Sequence, residues 1–301
     1  MSVTIDHLHP IVLSGRAFTP EEAAEVAACP DLVSVGVLGE SARKAMRGDR
    51  VTFARVAVVS SGVVERPAAG RGAAQEVRLV DRPASLDDAR ARVTAARSMA
   101  EGVTLTGFST ADLLEMADHD HVTLAGFAKT LAAAGLAAVA ETPLDRLGDA
   151  EQASEVVRAI RHGGLGVWRF TVDRAVPDDR IALIARAAAV AADVGGILAF
   201  APLSRHDVRE VPSTGYDDVK TVAIARLMCR SIPSIQVDWA LYGPKLAQVA
   251  IAYGADDLDA VSPYDDPAVG ARRAPRAEIE RHIRAAYAEP AERGATYEIL
   301  S

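Results

Sequence analysis

Cysteine is nearly missing from this chain: there are two among 301 residues, Cys29 and Cys229. They stand far apart, with no C-x-x-C spacing, and an iron–sulfur cluster takes three or four thiolates, usually from one loop. No cluster is therefore expected, and in a reducing compartment both thiols stay unpaired by default. Positive charge is also short, since 33 Lys and Arg face 41 Asp and Glu for a net charge of -8. That balance disfavours a sequence-independent binder of phosphate backbones, and no basic cluster with interleaved aromatics offsets it. No apolar run reaches membrane length, and the stretch from Met1 to Pro10 carries Asp6, His7 and His9 rather than a signal pattern. The expected setting is cytoplasmic, with neither nucleic acid nor membrane as partner. P-loop, GxGxxG, G-x-S-x-G and HExxH patterns are absent as well.

What the chain does have is alternation. Thr19-Pro20-Glu21-Glu22 reads as a capped helix start, and a second helix covers about Leu32 to Met46. Gly48-Asp49-Arg50 then leads into the β-branched run Val51 to Val59. Strand signals recur near residues 51, 76, 103, 137, 167, 197, 235 and 257, separated from Ser85 onward by helical patterns. Such alternation with short connections predicts an α/β fold with a parallel sheet, and eight strands predict a (βα)8 barrel. Residues 1–50 are expected as a helical extension, 51–270 as the barrel, and 271–301 as a closing helix and tail packed on it.

The stretch Ser231 to Ala260 is the most ordered in sequence terms. Ile232, Ile235, Val237 and Trp239 predict a strand, Gly243-Pro244 a break, Leu246 to Tyr253 a helix, and Ala255 to Leu258 the next strand. Ile232-Pro233, Trp239, Tyr242-Gly243-Pro244, Leu246-Ala247-Gln248 and Gly254-Ala255-Asp256-Asp257-Leu258 together resemble the last βαβ unit of the radical-SAM enzymes of the futalosine route to menaquinone. Aminofutalosine synthase shows this pattern. Gly195-Gly196 through Pro202-Leu203, the helix Asp217 to Leu227, and Ala271 to Tyr297 with Glu292-Arg293 extend the likeness. It is dense from Leu105 onward, present over Asp31 to Val59, and missing between them.

The missing part is informative. The family carries C-x3-C-x2-C after its first strand, where this chain has Ser60-Ser61-Gly62-Val63-Val64-Glu65-Arg66-Pro67. After the second strand it carries a Gly-Gly motif, where this chain has Asp81-Arg82-Pro83. The resemblance thus implies a barrel of menaquinone-related ancestry without the radical machinery, with no iron–sulfur cluster and with S-adenosylmethionine binding in doubt. It implies a repurposed binder of a small anionic or nucleoside-type ligand, partnered by a cluster-bearing homologue or by a second copy. The alternative is a non-radical lyase or hydrolase acting on a nucleoside or a chorismate-derived anion.

In a barrel, chemistry sits where strands end. This selects Asp81 and Arg82, Ser109, Glu141, Asp173 and Arg174, Ser204 to His206, Asp238 and Asp259. Glu141 and Asp238 are the candidate acid–base residues. Arg169, inside a strand, must meet an anion or a carboxylate such as Asp238 or Glu141 if it points inward. Gln236 shares a face with Asp238 by the period of two, and with Ser109, Arg169, Glu141 and Asp238 completes the ligand-binding set. The competing expectation is that one of Gln236 and Asp238 caps a helix, and that Asp256 and Asp257 satisfy backbone groups at a turn. His7 with His9, and His119 with His121, have ligand-like spacing but no third ligand nearby, so a surface role is expected and no metal.

Overall fold

The computed structural model describes residues 5–60, 73–174, 177–205, 213–264 and 276–300. The Cys-free loop after the first strand, His206 and the predicted helix start at Ala271 lie outside them. Three helices come first: α1 (His9–Ser14), α2 (Pro20–Ala28) and α3 (Leu32–Arg47). Thr19 accepts from the Glu22 amide while Glu22 reaches back to the Thr19 amide, a complete capping box. The alternating part then runs β1 (Arg50–Val59), β2 (Glu76–Leu79), α4 (Leu86–Ala96), β3 (Thr104–Ser109), α5 (Thr110–His119), α6 (Leu124–Ala134), β4 (Ala138–Glu141), α7 (Ala150–His162) and β5 (Arg169–Val172). It continues with α8 (Arg180–Val194), β6 (Ala199–Ser204), α9 (Gly215–Met228), β7 (Ser234–Asp238), α10 (Trp239–Ala252), β8 (Asp257–Val261), α11 (Arg276–Ala285) and β9 (Glu289–Glu292).

All described strand pairings of the named strands are parallel, in the order β4-β3-β2-β1-β8-β7-β6-β5. The two end strands, β4 and β5, meet through the isolated parallel bridges Ala138–Gly166 and Pro143–Thr171. The predicted eight-stranded barrel is therefore present, closed by a ladder on every side but one. Helices cover the outside, and the apolar core lies between them and the strands: Phe53, Phe127, Phe170, Phe200 and Trp239 are fully buried there.

Two local expectations are corrected. The seventh strand stops at Asp238 rather than running through Trp239, because the Asp238 carboxylate accepts from the Leu241 amide and caps α10. Gly243, at φ 76°, then kinks that helix where a strand-to-helix turn was expected. The C-terminal tail also does more than pack outside. β9 lies parallel to the first half of β1, beside residues Arg50 to Phe53, while β2 takes the second half from Val56 onward. The chain after β9 passes under the barrel, and Arg293 and Tyr297 enter it from the end at which the strands begin.

The interior of the barrel is a charged lattice. Arg78 grips Asp259 through two hydrogen bonds (2.8 and 3.1 Å) and Glu76 through two more. Arg169 also donates to Asp259 and to Gln236. Arg293 forks onto Asp257 at 2.6 and 2.8 Å, reaches Asp259 at 3.5 Å, and lies 3.9 Å from the ring centre of Tyr297. Gln236 donates to Asp257 and Tyr297, and Thr52 donates to Asp257. The space left among these groups is about 20 Å3, too small for an organic ligand. Burial pushes Asp259 upward, but Arg78 and Arg169 outweigh it and hold the carboxyl well below its ordinary range.

Removing one member of a fully paired buried set strands the others. Asp259→Asn is expected to lower unfolding stability by about 3–5 kcal/mol, read from urea titrations at neutral pH. A loss below about 1 kcal/mol would mean that the arginines find other partners.

Candidate functional site

The strands end at a mouth where a cavity of about 430 Å3 opens over β2, β3 and β4. Its walls are Leu79, Val80, Asp81 and Arg82 from the second strand end, Phe108, Ser109 and Asp112 from the third, and Ala140, Glu141 and Arg146 from the fourth. Asp81 and Phe108 are non-glycine residues with φ of 67° and 62°. Strain of this kind concentrates where a site fixes the direction of its side chains. Arg92 stacks 5.2 Å from the Phe108 ring centre and donates to the Val80 and Asp81 carbonyls, which braces both strand ends from behind.

Glu141 is the pivot of the deep side. Arg205 Nε donates to its Oε1 at 2.7 Å, and Arg205 Nη2 donates to Asp238 Oδ2 at 2.9 Å. Asp238 Oδ1 is taken by the α10 amide, so a continuous support runs from a helix cap through Asp238 and Arg205 to Glu141. Burial raises the Glu141 carboxyl, but Arg205, with Arg169 and Arg78 behind it, overcomes this and holds it below its ordinary value. Burial acts the other way on Arg205 and would lower it, but Glu141 and Asp238 raise it. Asp112, in the first turn of α5, has the opposite balance. Its side chain is 17% exposed, its ion pair to Arg146 is long at 3.8 Å, and burial lifts its carboxyl above the ordinary value. Arg146 is shared among Glu115 (2.6 Å), Asp173 (3.4 Å) and Asp112, while Arg82 pairs with Glu115 at the rim.

The expected site residues divide accordingly. Glu141 and Ser109 line the cavity, although the Ser109 hydroxyl also caps α5 by accepting from the Ala111 amide. Asp238 sits behind Glu141 with both oxygens engaged. Arg169 does point inward, but it meets Asp259, Gln236 and the Ala140 carbonyl rather than Glu141 or Asp238. Gln236 is enclosed by Arg169, Asp257 and Tyr297. Asp257 and Asp259 lie within β8, and Asp256 pairs with Arg226 and Arg47 below the barrel, which ties α9 and α3 to it. His119 is exposed beside Asp120, and His7 pairs with Glu25 at the surface. No metal-holding group of three ligands exists among the described residues. Asp112 and Arg146 escape a sequence reading, because an acid in a first helical turn looks like a capping charge. Arg205 was visible only as a residue after a strand.

The two thiols do not fit a cluster site. Both are fully buried, Cys29 ending α2, which packs on α8 and α9, and Cys229 lying between α9 and β7 where strands enter the barrel. Burial pushes the Cys229 thiol up to about 12, away from the thiolate a metal needs. Among the described residues, no helix is long and apolar enough to cross a membrane.

No family model matches the chain. Over 145 residues it is 30% identical to the aminodeoxyfutalosine synthase of Streptomyces coelicolor, a stretch that covers 41% of this chain and 38% of that protein. The match thus spans less than half of that relative's length. Among solved structures, HydG, a maturase of the FeFe-hydrogenase, superposes with a TM-score of 0.66 at 14% identity, over 98% of this chain and 77% of HydG. Methylornithine synthase (PylB) superposes with a TM-score of 0.64 at 12% identity, over 94% and 97%. At these identities the superpositions speak to the fold, and they match it over nearly the whole chain.

Asp112 gives the cavity a measurable signature. A carboxyl whose folded value lies above its unfolded one costs stability once ionised, and that cost fades as pH falls towards the unfolded value of about 4. Asp112→Asn is expected to raise the thermal midpoint at pH 7, with the gain disappearing near pH 4. A midpoint lowered at pH 7 would show that the pair with Arg146 outweighs the burial of the charge.

Proposed function

We propose that this chain, a relative of the radical-SAM barrel enzymes typified by aminodeoxyfutalosine synthase, is a cluster-free member that binds a small anionic or nucleoside-type ligand at the barrel mouth, in the setting of the futalosine route. The observation that carries this reading is the pairing of a filled barrel interior with an open cavity of about 430 Å3 above it. Among the described residues the barrel interior leaves only about 20 Å3, so the ligand is assigned to the cavity over β2 to β4. There Arg82 and Arg146 offer two cations to an anionic group, Asp112 and Glu141 accept from hydroxyl or N–H donors, and Leu79 and Phe108 supply apolar wall. Two thiols in 301 residues support the absence of radical chemistry.

One observation favours a second reading, acid–base catalysis without iron. Asp112 is raised and Glu141 lowered on the walls of one cavity. Carboxylates pushed apart in this way suit a proton donor and a proton acceptor. In that case Asp112 is the acid, Glu141 the base, and Arg205 and Asp238 position Glu141.

The first experiment is a thermal-shift titration with S-adenosylmethionine, aminodeoxyfutalosine and its enolpyruvyl benzoate precursor, on protein assayed for iron. A ligand of the folded state raises the midpoint progressively with concentration, by an amount equivalent to about 2.7 kcal/mol at a hundredfold excess over Kd. A shift with either pathway compound, lost in Glu141→Gln or Arg146→Ala, is the expected result. Turnover of the bound compound without iron would favour the second reading. No shift with any of the three would sink the first.

A further inference from the structure

The barrel is joined unequally. Seven of its eight strand-to-strand contacts are ladders, and the eighth, between β4 and β5, is two isolated bridges. Only a few backbone hydrogen bonds cross it: Gly166 N to Ala137 O, Val139 N to Gly166 O, and Thr171 N to Thr142 O, at 2.9 to 3.0 Å. Between them Gly166 is overlaid by the Trp168 ring so closely that a Cβ there would lie 2.5 Å from it. The Ala140 carbonyl on β4 accepts from Arg169 on β5, through Nε at 3.1 Å and Nη2 at 2.5 Å. A side chain anchored on Asp259 therefore ties β5 to β4 from inside. At the mouth a second device does the same job. Asp145, in the turn Leu144–Arg146 after β4, accepts from the Asp173 amide at 2.8 Å and the Arg174 amide at 2.6 Å, which clamps the exit of β5.

We propose that the β4–β5 seam opens as a local unit, latched inside by Arg169 and outside by Asp145, and that this opening moves the wall of the mouth cavity. Ala140, Glu141 and Arg146, all on the β4 side of the seam, line that cavity. Side-chain latches release one at a time, whereas a ladder of backbone bonds releases cooperatively, so the seam is the place where this barrel breathes below its global unfolding. The inference does not depend on any ligand, and its test uses the free protein.

Hydrogen exchange on the intact chain reads it directly. Amides of 138–145 and 166–174 are expected to exchange at least about tenfold faster than those of β2, β3 and β8. Asp145→Asn loses one of the two clamping acceptors at a partly exposed position, so it should fold. It is expected to speed the seam amides by about another tenfold, with β2 and β3 unchanged. Arg169→Lys, which keeps a charge near Asp259 but not the fork on Ala140, should do the same where it folds. Seam amides that exchange in step with β2 and β3 overturn the proposal, and so does Asp145→Asn accelerating all strands alike.

Discussion

The three arginines that converge on Asp259 govern how the rest of this barrel is built. An ionised carboxylate fully buried at the centre of a β-barrel is costly unless it is paired. Arg78 from β2, Arg169 from β5 and Arg293 from the tail supply that pairing, and each brings a further obligation. Arg78 requires Glu76, Arg169 requires Gln236 and the Ala140 carbonyl, and Arg293 requires Asp257. Charge balance thus propagates from one residue to strands on opposite sides of the barrel and to the end of the chain. Among barrels it is ordinary for branched apolar residues to fill the centre. Here the apolar filling has moved to the layer between strands and helices.

Two features follow from that lattice. The tail cannot be a loose appendage, since Arg293 neutralises Asp257 and Tyr297 stacks on Arg293 while accepting from Gln236. Glu292, one residue earlier, answers Arg55 at 2.7 Å, so the outgoing chain is read by β1 as well. The second feature is a division of labour along the axis: among the described residues the paired charges of the lattice leave a space of about 20 Å3 inside the barrel, and the mouth above it opens into a cavity of about 430 Å3. Such a network adds less net stability than apolar packing of the same volume would. It does define which strand lies beside which, because few other registers bring these arginines to these acids.

Much of the fold is legible in the sequence because strand and helix periods are local. Val51 to Val59, Ala199 to Leu203 and Ile235 to Val237 carry their strand character in their own composition. β9 was not legible: Glu-Pro-Ala-Glu has no alternation, and it becomes a strand only because the first half of β1 is left without a neighbour on that side. Trp239 belongs to a helix instead of a strand because the carboxylate before it caps, and an apolar residue at a strand–helix junction fits either period. At the site, Glu141 and Ser109 could be found from their position after strands. Arg169 and Gln236 could not be separated from ligand-binding residues by pattern, since what distinguishes them is a partner far away in sequence, Asp259 or Tyr297. Asp112 was hidden for the opposite reason. Its identity suited a helix start so well that nothing marked it, and only burial beside the cavity makes its charge unusual.

Glu141 shows how such a lattice can serve a site without belonging to it. Its carboxylate is fixed by Arg205, its own peptide is fixed by Arg169 through the Ala140 carbonyl, and its strand lies against Ser109 in register. Two of these three supports are arginines whose other contacts lie on β7 and β8, so the orientation of one cavity residue records the state of the far side of the barrel. Because β4 is also an end strand, the same residue stands at the least cooperative joint in the sheet. Moving β4 away from β5 would part Glu141 from Arg205 and Arg146 from Asp173, since those partners lie beyond the seam, so the ion pairs that orient the wall also resist its movement. That coupling arises because side chains share with three backbone hydrogen bonds the work of holding β4 to β5.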